Sequence, residues 1–303
     1  MDGILNVNKP AGKTSFGVVA IIRRLSGERR VGHAGTLDPA ATGVLPVCLG
    51  QATRVAEYLM DSTKKYRADI GLGITTDTYD AAGTVEKRSD ISGITRAQLE
   101  EVLNSFRGKI LQTPPMYSAL KHRGKPLYEL ARNGITIERQ QRQVEIYCLE
   151  ILKWRPPVVT VDVVCSKGTY VRSLAHDIGQ ALGCGAIVQD LIRLKCGTFE
   201  IENAVSITEL ETAFREGYWQ RFVYPMDHVL ADWRAETVSD ETAQAIRNGR
   251  PVDLEQTPDR DAEQAPEPAE RDLCRIYTSD GRLLSLVRFE PATRQWHPVK
   301  VFQ

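Results

Sequence analysis

The stretch from Gly32 to Pro46 places a carboxylate in a setting that could support catalysis. It reads GHAGTLDPAATGVLP, with Asp38 five residues after His33. Its three glycines and two prolines are unfavourable in a regular helix or strand, so we expect a loop of fixed backbone geometry. A carboxylate presented by such a loop can act as a nucleophile or a general base. The structural alternative is a turn in which Asp38 bonds to its own backbone.

Regular elements that could position this loop are predicted on both sides of it. Thr14 or Ser15 can cap a helix that has apolar residues at helical spacing and stops at Gly27. A strand is predicted from Tyr66 to Ile74, because alternate residues are apolar. Further predictions are a strand over 159–165, an amphipathic helix over 171–182, and helices over 95–106 and 127–133. Strands and helices that do not strictly alternate indicate an α+β protein rather than a doubly wound sheet.

The last part of the chain has a different composition. The balance of Lys plus Arg against Asp plus Glu is 29 to 25 over residues 1–230 and 10 to 14 over 231–303. Residues 253–272 are acidic and Pro-rich, which predicts a disordered loop. A helix over 240–248 and strands over 274–277, 283–289 and 299–302 predict a small β-rich module. We therefore place a domain boundary at 230/231.

Composition narrows the class of protein. The net charge is zero, which by itself does not indicate a nucleic-acid-binding protein, although basic clusters recur in the first 230 residues. The sequence contains no run of about 18 apolar residues and no amino-terminal basic-then-apolar signal, so we expect neither a membrane span nor secretion. The six cysteines form no C-x-x-C pair, which favours free thiols in a reducing cytoplasm over a zinc site or a disulfide framework.

Several ordered motifs resemble those of the TruB-type pseudouridine synthases, which modify the T-loop uridine of tRNA (uridine-55). GHAGTLDPAATGVLP is similar to the catalytic loop of that family. Lys9 to Ser15 (KPAGKTS) resembles its opening motif, Lys65 to Arg67 (KYR) its second and Ser166 to Arg172 (SKGTYVR) its third. GCGA at 183–186 and LIRL at 191–194 fit the segment that follows. The agreement in order extends from about residue 3 to 210. One departure is Ala34, where many members have Thr.

This resemblance implies a fold and a reaction. The fold would be the pseudouridine-synthase fold, a mixed and mainly antiparallel sheet flanked by helices, followed by a small PUA-like RNA-binding domain. The reaction cleaves the N1–C1′ glycosidic bond of uridine, rotates the uracil and joins C5 to C1′. It needs no redox step and no group donor, so we expect no cofactor and no metal. A negative charge near the oxocarbenium-like transition state would be supplied by one carboxylate, by attack at C1′ or by proton abstraction at C2′.

The resemblance also assigns roles to individual residues. Asp38 matches the catalytic aspartate, and Arg172 matches the arginine that pairs with it and keeps it ionised. Tyr66 matches the tyrosine that stacks on the target uracil and helps to remove the C5 proton. Tyr170 would line the pocket. His33 matches the histidine that fills the space of the everted nucleotide, as base flipping requires.

Other basic residues are predicted to contact or support the bound RNA. Lys9 and Lys13 lie in a segment that ends like a phosphate-binding P-loop, but Val7 stands where that motif requires glycine. We therefore predict that both lysines support the fold or contact phosphate. Residues 116–134, which include Lys121, resemble the insertion that grips the T-arm in bacterial members. An exposed hairpin and helix without that function is an equally good reading of the same residues.

The leading hypothesis is a stand-alone tRNA pseudouridine synthase that acts as a monomer in the cytoplasm without a protein partner. A guide-RNA-dependent synthase is disfavoured by the insertion at 116–134 and by the lack of long basic tails. A tRNA-folding chaperone is a third hypothesis, in which binding rather than catalysis is the function. A glycoside hydrolase is the most distant one, because no second catalytic carboxylate stands out.

Overall fold

The strands and helices of the chain follow one another without strict alternation, as predicted for an α+β protein. The computed structural model describes residues 1–254 and 272–302. The strands of this part are β1 (Gly3–Lys9), β2 (Val31–His33), β3 (Thr42–Leu49), β4 (Lys64–Leu72), β5 (Ile74–Thr76), β6 (Val85–Arg88), β7 (Gly108–Gln112), β8 (Lys121–His122), β9 (Lys125–Pro126), β10 (Arg142–Arg155), β11 (Val158–Cys165), β12 (Ala186–Cys196), β13 (Phe199–Glu200), β14 (Val205–Ser206), β15 (Val223–Tyr224), β16 (Arg234–Thr237), β17 (Leu273–Tyr277), β18 (Leu283–Glu290) and β19 (Gln295–Val301).

Seven α-helices accompany these strands in the described residues. Four of them, α1, α3, α5 and α6, bury apolar side chains in the largest hydrophobic core cluster. None of the described helices is long and apolar enough to cross a membrane. The helices are α1 (Ser15–Ser26), α2 (Ala56–Asp61), α3 (Arg96–Ser105), α4 (Leu127–Arg132), α5 (Val171–Ala181), α6 (Ile207–Glu216) and α7 (Asp240–Arg247).

One large sheet carries most of the structure. Its strand order is β14-β1-β3-β12-β4-β11-β10-β7, with β2, β13 and β15 paired at β3, β12 and β1 respectively. The pairs β1–β14 and β3–β12 are parallel, and the other named pairs in this sheet are antiparallel. The sheet is therefore mixed and mainly antiparallel, with helices packed on it, and the predicted fold class is confirmed.

Local sequence signals explain the elements nearest the Asp38 loop. Helix α1 begins where the Thr14 hydroxyl accepts a hydrogen bond from the Gly17 amide at 2.9 Å, and it ends at Gly27, whose φ is 66°. In β4 the side chains of Tyr66, Ala68 and Ile70 alternate into the core, as the pattern predicts.

Two predictions of element length were wrong. Strand β4 ends at Leu72 instead of Ile74, because Gly73 adopts a φ of 80° and donates its N–H to the Gly185 carbonyl at 2.9 Å. The loop around Asp38 is shorter than the predicted 32–46, because Thr42 to Pro46 already belong to β3, in which Thr42 pairs with β12 and Gly43 to Pro46 pair with β1. Tertiary pairing overrides the local preference of glycine and proline at these positions.

A small four-stranded sheet follows in the order β16-β17-β18-β19. Trp296 and Ile276 are buried in its core with α7 residues, and Leu254 is buried in the same cluster. Most of the segment predicted to be disordered, residues 255–271, lies outside the described residues. Leu286 and Phe302 of the small sheet region belong to a second cluster that also contains Ile4 of β1, so apolar packing joins the two sheets.

Candidate active site

The backbone of Leu37, the residue before Asp38, is held by hydrogen bonds. The Ser15 hydroxyl donates to the Leu37 carbonyl at 3.1 Å and accepts from the Leu37 amide at 2.8 Å. Ser15 and Leu37 are both buried. Because a buried hydroxyl that satisfies both backbone groups of one residue leaves that residue little freedom, Ser15 fixes the backbone where the Asp38 side chain departs.

The residue after Asp38 is held by the same opening motif. The Lys9 ammonium donates to the carbonyls of Pro10, Lys13 and Pro39 at 3.0, 2.7 and 3.1 Å, and the Gly12 amide donates to Pro39 at 2.8 Å. The Lys9 side chain is fully buried, which lowers its pKa to about 8, and the Asp38 charge opposes that shift. Of the two roles predicted for Lys9, the structure favours support of the fold, because its three donors already have carbonyl partners.

Arg172 meets Asp38 in a bidentate ion pair. Its Nε donates to Asp38 Oδ2 at 2.7 Å and its Nη2 donates to Asp38 Oδ1 at 3.0 Å. Arg172 is 4 % exposed, whereas 37 % of the Asp38 side chain is accessible. The guanidinium is therefore a buried support, and the carboxylate faces the opening. Two parallel N–H donors fix the plane of the carboxylate.

Two further donors of Arg172 bond to backbone carbonyls. Nη1 donates to the Thr78 carbonyl at 3.0 Å and Nη2 to the Tyr117 carbonyl at 2.8 Å. Asp80 Oδ2 lies 3.7 Å from Arg172 Nε, so a second carboxylate shares the cation. A buried guanidinium is tolerated only with such partners. Sequence reasoning missed Asp80, since nothing in the local sequence distinguishes it from an ordinary turn aspartate.

Tyr170 precedes Arg172 at the start of α5 and is fixed by an amide side chain. The Tyr170 amide donates to Gln112 Oε1 at 2.8 Å, and Gln112 Nε2 donates to the Tyr170 carbonyl at 3.0 Å. Burial raises the pKa of the Tyr170 phenol. This pairing ties the start of α5 to β7 and sets the direction in which Arg172 leaves the helix.

Tyr66 and Arg193 lie in the same site. Tyr66 is 9 % exposed, and burial raises its pKa to about 12, so that the phenol is neutral at physiological pH. Arg193 is 1 % exposed and donates from Nε to the Val44 carbonyl at 2.7 Å and from Nη2 to the Gly35 carbonyl at 3.0 Å. Gly43 permits the close approach of the Arg193 backbone in the β3–β12 pair, because a Cβ there would lie 2.3 Å from the Arg193 carbonyl oxygen.

These groups surround one cavity of about 310 Å³. Asp38, Tyr66, Tyr170 and Arg172, which the sequence singled out from three separate segments, all line it. It also has residues that sequence reasoning did not assign to the site. Among these are Met60, Lys64, Ser118, Leu120, Leu191 and Arg193.

The other predicted site residues lie outside the lining of this cavity. His33 ends β2; it is partly buried, and burial and the nearby Arg193 charge lower its pKa. Lys9 lies beneath the loop, and Lys13 is exposed in the turn before α1. Lys121 is exposed on the β8–β9 hairpin, next to Leu120 of the cavity wall.

Comparisons with known proteins identify the family. Residues 23–171 match the model of the TruB family pseudouridylate synthase N-terminal domain, and residues 172–231 match the tRNA pseudouridylate synthase B C-terminal domain. A protein named tRNA pseudouridine synthase B from Dehalococcoides mccartyi is 41 % identical over all of this chain and 97 % of its own length. One of the same name from Clostridium perfringens is 46 % identical over 82 % of this chain and 84 % of its own.

Solved structures agree with the sequence comparison. The crystal structure of a Cbf5-Nop10-Gar1 complex contains a chain that aligns with a TM-score of 0.73 at 27 % identity, over 99 % of this chain and 84 % of that one. The archaeal box H/ACA sRNP Nop10-Cbf5 complex gives a TM-score of 0.71 at 26 % identity. Fold and site thus define a pseudouridine synthase. The chain belongs to the TruB family of pseudouridylate synthases.

Proposed function

We propose that this protein converts the T-loop uridine of tRNA, uridine-55, to pseudouridine. The observation that carries this proposal is the Asp38–Arg172 pair, which presents an accessible carboxylate to a cavity bordered by a tyrosine ring. The relatives that are 41–46 % identical bear the name of a tRNA pseudouridine synthase, which supports tRNA as the substrate. The assignment of individual residues below is part of this proposal.

Asp38 provides the negative charge in the reaction. The N1–C1′ bond breaks, the uracil turns, and C5 bonds to C1′. The C5 proton is then lost and N1 takes up a proton, so the product is an isomer of the substrate. The carboxylate either adds to C1′ or takes a proton from C2′, and both routes need it ionised and aimed at the sugar. Arg172 orients the carboxylate from its buried side, so the exposed side of Asp38 is left for the substrate.

Tyr66 acts first as a stacking surface for the uracil. A stacked ring contributes about 1–3 kcal/mol to binding of a base. Because its pKa is about 12, Tyr66 has almost no phenolate at neutral pH, which disfavours it as a direct base for the C5 proton. Tyr170 forms the neighbouring wall, and His33 fills the place of the flipped nucleotide.

Basic side chains around the opening hold the RNA. Lys121 and the exposed hairpin of residues 116–134 grip the T-arm, and Lys13 contacts phosphate at the side of α1. Lys9 is assigned to supporting the Asp38 loop. We place the catalytic domain at residues 1–230 and an RNA-binding PUA-like domain at 231–303, which is supported by β15 pairing in the large sheet and β16 in the small one.

We further propose a monomer that works in the cytoplasm without a protein partner. The proposed catalytic residues Asp38, Tyr66 and Arg172 meet within a single chain, which supports this proposal. A specific observation favours one alternative, a guide-RNA-dependent synthase: the structural similarity to Cbf5 chains in complexes with other proteins. The higher identity and near-complete coverage of the tRNA pseudouridine synthase B relatives favour the stand-alone enzyme.

The test is pseudouridine formation by the purified protein on a synthetic T-arm stem-loop, without guide RNA or cofactor. Product at the T-loop uridine, and none when that uridine is replaced by cytidine, is the expected result. Tight binding without product would favour a tRNA-folding chaperone. Product that appears only after addition of a guide RNA would favour the alternative.

A further inference from the structure

The turn of residues 76–80 contacts α5 at two points, one helical turn apart. Arg172 Nη1 donates to the Thr78 carbonyl at 3.0 Å. Four residues later on the same face, the imidazole of His176 stacks on the Tyr79 ring, with centroids 3.9 Å apart and planes 21° apart. The turn also carries Asp80, the second carboxylate beside Arg172. Whatever fixes this turn therefore fixes two of the groups that hold Arg172.

Tyr79 occupies an unusual backbone conformation. Its φ is 63°, in the left-handed region that bulky residues rarely adopt, so the surrounding structure must hold it there. The backbone of Tyr79 is tied at both ends: its amide donates to the Thr76 carbonyl at 3.2 Å, and its carbonyl accepts from the Val188 amide at 3.0 Å. Its side chain is held by the stack on His176.

His176 contacts the turn through the face of its imidazole ring. Nδ1 is buried and has no hydrogen-bond partner among the described residues. Burial lowers the pKa of His176, as does the nearby charge of Arg139, and a neutral imidazole stacks on a phenol without desolvating a charge. An imidazole that makes a close ring contact instead of a hydrogen bond at Nδ1 serves the packing of the turn.

We propose that the Tyr79–His176 stack is a positioning device for Arg172, and through Arg172 for Asp38. The two rings clamp the turn against α5 so that the Thr78 carbonyl and the Asp80 carboxylate stay in reach of the guanidinium. The inference rests on the proposed function for its kinetic consequence only. Neither Tyr79 nor His176 is a catalytic residue, because neither lines the cavity that contains Asp38.

Four single variants and one double variant distinguish the effect of the rings from that of the backbone. Tyr79→Gly removes the ring but accepts the left-handed φ without strain, and His176→Ala removes the partner ring. Both should lower the single-turnover rate constant for pseudouridine formation about tenfold, with the dissociation constant for the T-arm stem-loop within twofold of wild type. Tyr79→Phe and His176→Phe keep a stack and should react at the wild-type rate. The double variant Tyr79→Gly/His176→Ala should be no slower than either single one.

A second readout does not depend on the reaction. In protein labelled with ¹⁵N-arginine, the Nε–H signal of Arg172, assigned by its loss in Arg172→Lys, should exchange with solvent faster in Tyr79→Gly and His176→Ala. An unchanged signal in both variants, or a wild-type rate in Tyr79→Gly, would overturn the inference. Weaker RNA binding at an unchanged rate constant would also overturn it, because the rings would then be an RNA contact. If wild-type protein makes no pseudouridine, the proposed function fails, and the Nε–H exchange alone decides the inference.

Discussion

The cavity has two walls that are built in opposite ways. The Asp38 loop is anchored on both sides of the aspartate. Leu37 and Ala41 are 4 % and 2 % exposed, and Ser15 and Lys9 bond to the backbone of Leu37 and Pro39. The hairpin of the 116–134 insertion has Lys121 through Lys125 exposed and touches the cavity through Ser118 to Leu120. The first wall is held by hydrogen bonds around the proposed catalytic residue, and the second is open to solvent, where we propose that it grips the RNA.

The two walls meet at Arg172. Its guanidinium bonds to Asp38 on the fixed wall and to the Tyr117 carbonyl at the base of the insertion. Variants on the fixed wall should therefore change the rate constant and leave RNA affinity nearly unchanged. Variants on the exposed part of the insertion should do the reverse.

Asp38→Asn should have the largest effect. The amide preserves shape but removes the charge at the reacting sugar, so we expect at least about a thousandfold loss in the single-turnover rate constant. Affinity for the T-arm stem-loop should stay within about threefold. Asp90→Asn, an exposed aspartate outside the cavity lining, is the matched control and should be fully active. A collapse of affinity in Asp38→Asn would mean that this residue is structural.

Arg172→Lys should lower the rate constant about a hundredfold. A lysine offers one point charge in place of two parallel donors, and it leaves the Thr78 or Tyr117 carbonyl without its partner. Arg67→Lys is the control, because Arg67 makes a similar bidentate pair with Asp162 but is 44 % exposed. We expect Arg67→Lys to react within twofold of wild type. Equal rates for the two variants would refute the special role of the buried pair.

How far the sequence predicts this site depends on whether a motif assigns a role to the residue. Asp38, Tyr66 and Arg172 were singled out because each matches a motif position with a known role, and the helix that presents Arg172 is amphipathic in its own right. Asp80 lies in no recognised motif. Arg193 lies in the LIRL segment, but its bonds to the Val44 and Gly35 carbonyls cannot be inferred from that segment. The direction of the Lys9 side chain depends on the Pro39 carbonyl, which no local pattern reveals.

Lys9→Met tests the support beneath the fixed wall, through stability at different pH values. In the folded protein the pKa of Lys9 is about 8, against 10.5 ordinarily, so the folded state releases this proton first. The free energy of unfolding of wild type, relative to Lys9→Met, should therefore rise as the pH goes from about 8 to 10. Denaturant unfolding of both proteins at matched pH measures this difference. Tyr66 is present in both proteins, so its titration contributes equally to each and does not affect the difference. A difference that does not change with pH over this range would contradict the lowered pKa of Lys9 in the folded protein.

Lys121→Ala should have the smallest effect. Loss of one phosphate contact should raise the dissociation constant of the T-arm stem-loop about three- to tenfold. It should also reduce the slope of log affinity against log salt concentration by about one. The rate constant at saturating RNA should not change, because Lys121 lies outside the cavity lining. Lys153→Ala, an exposed lysine on β10, is the control. A slower reaction at saturation would show that the insertion contributes to chemistry as well as grip.

The apolar cluster shared by the two sheets has a consequence for the order of folding. It contains Ile4 of the first strand together with Leu286 and Phe302, residues from opposite ends of the described chain. Contacts of such long sequence separation form late, because the intervening chain must be ordered first. We therefore expect the contacts between Ile4 and the small sheet to form after the contacts within each sheet. Packing of the small sheet is in that sense the last step of assembly.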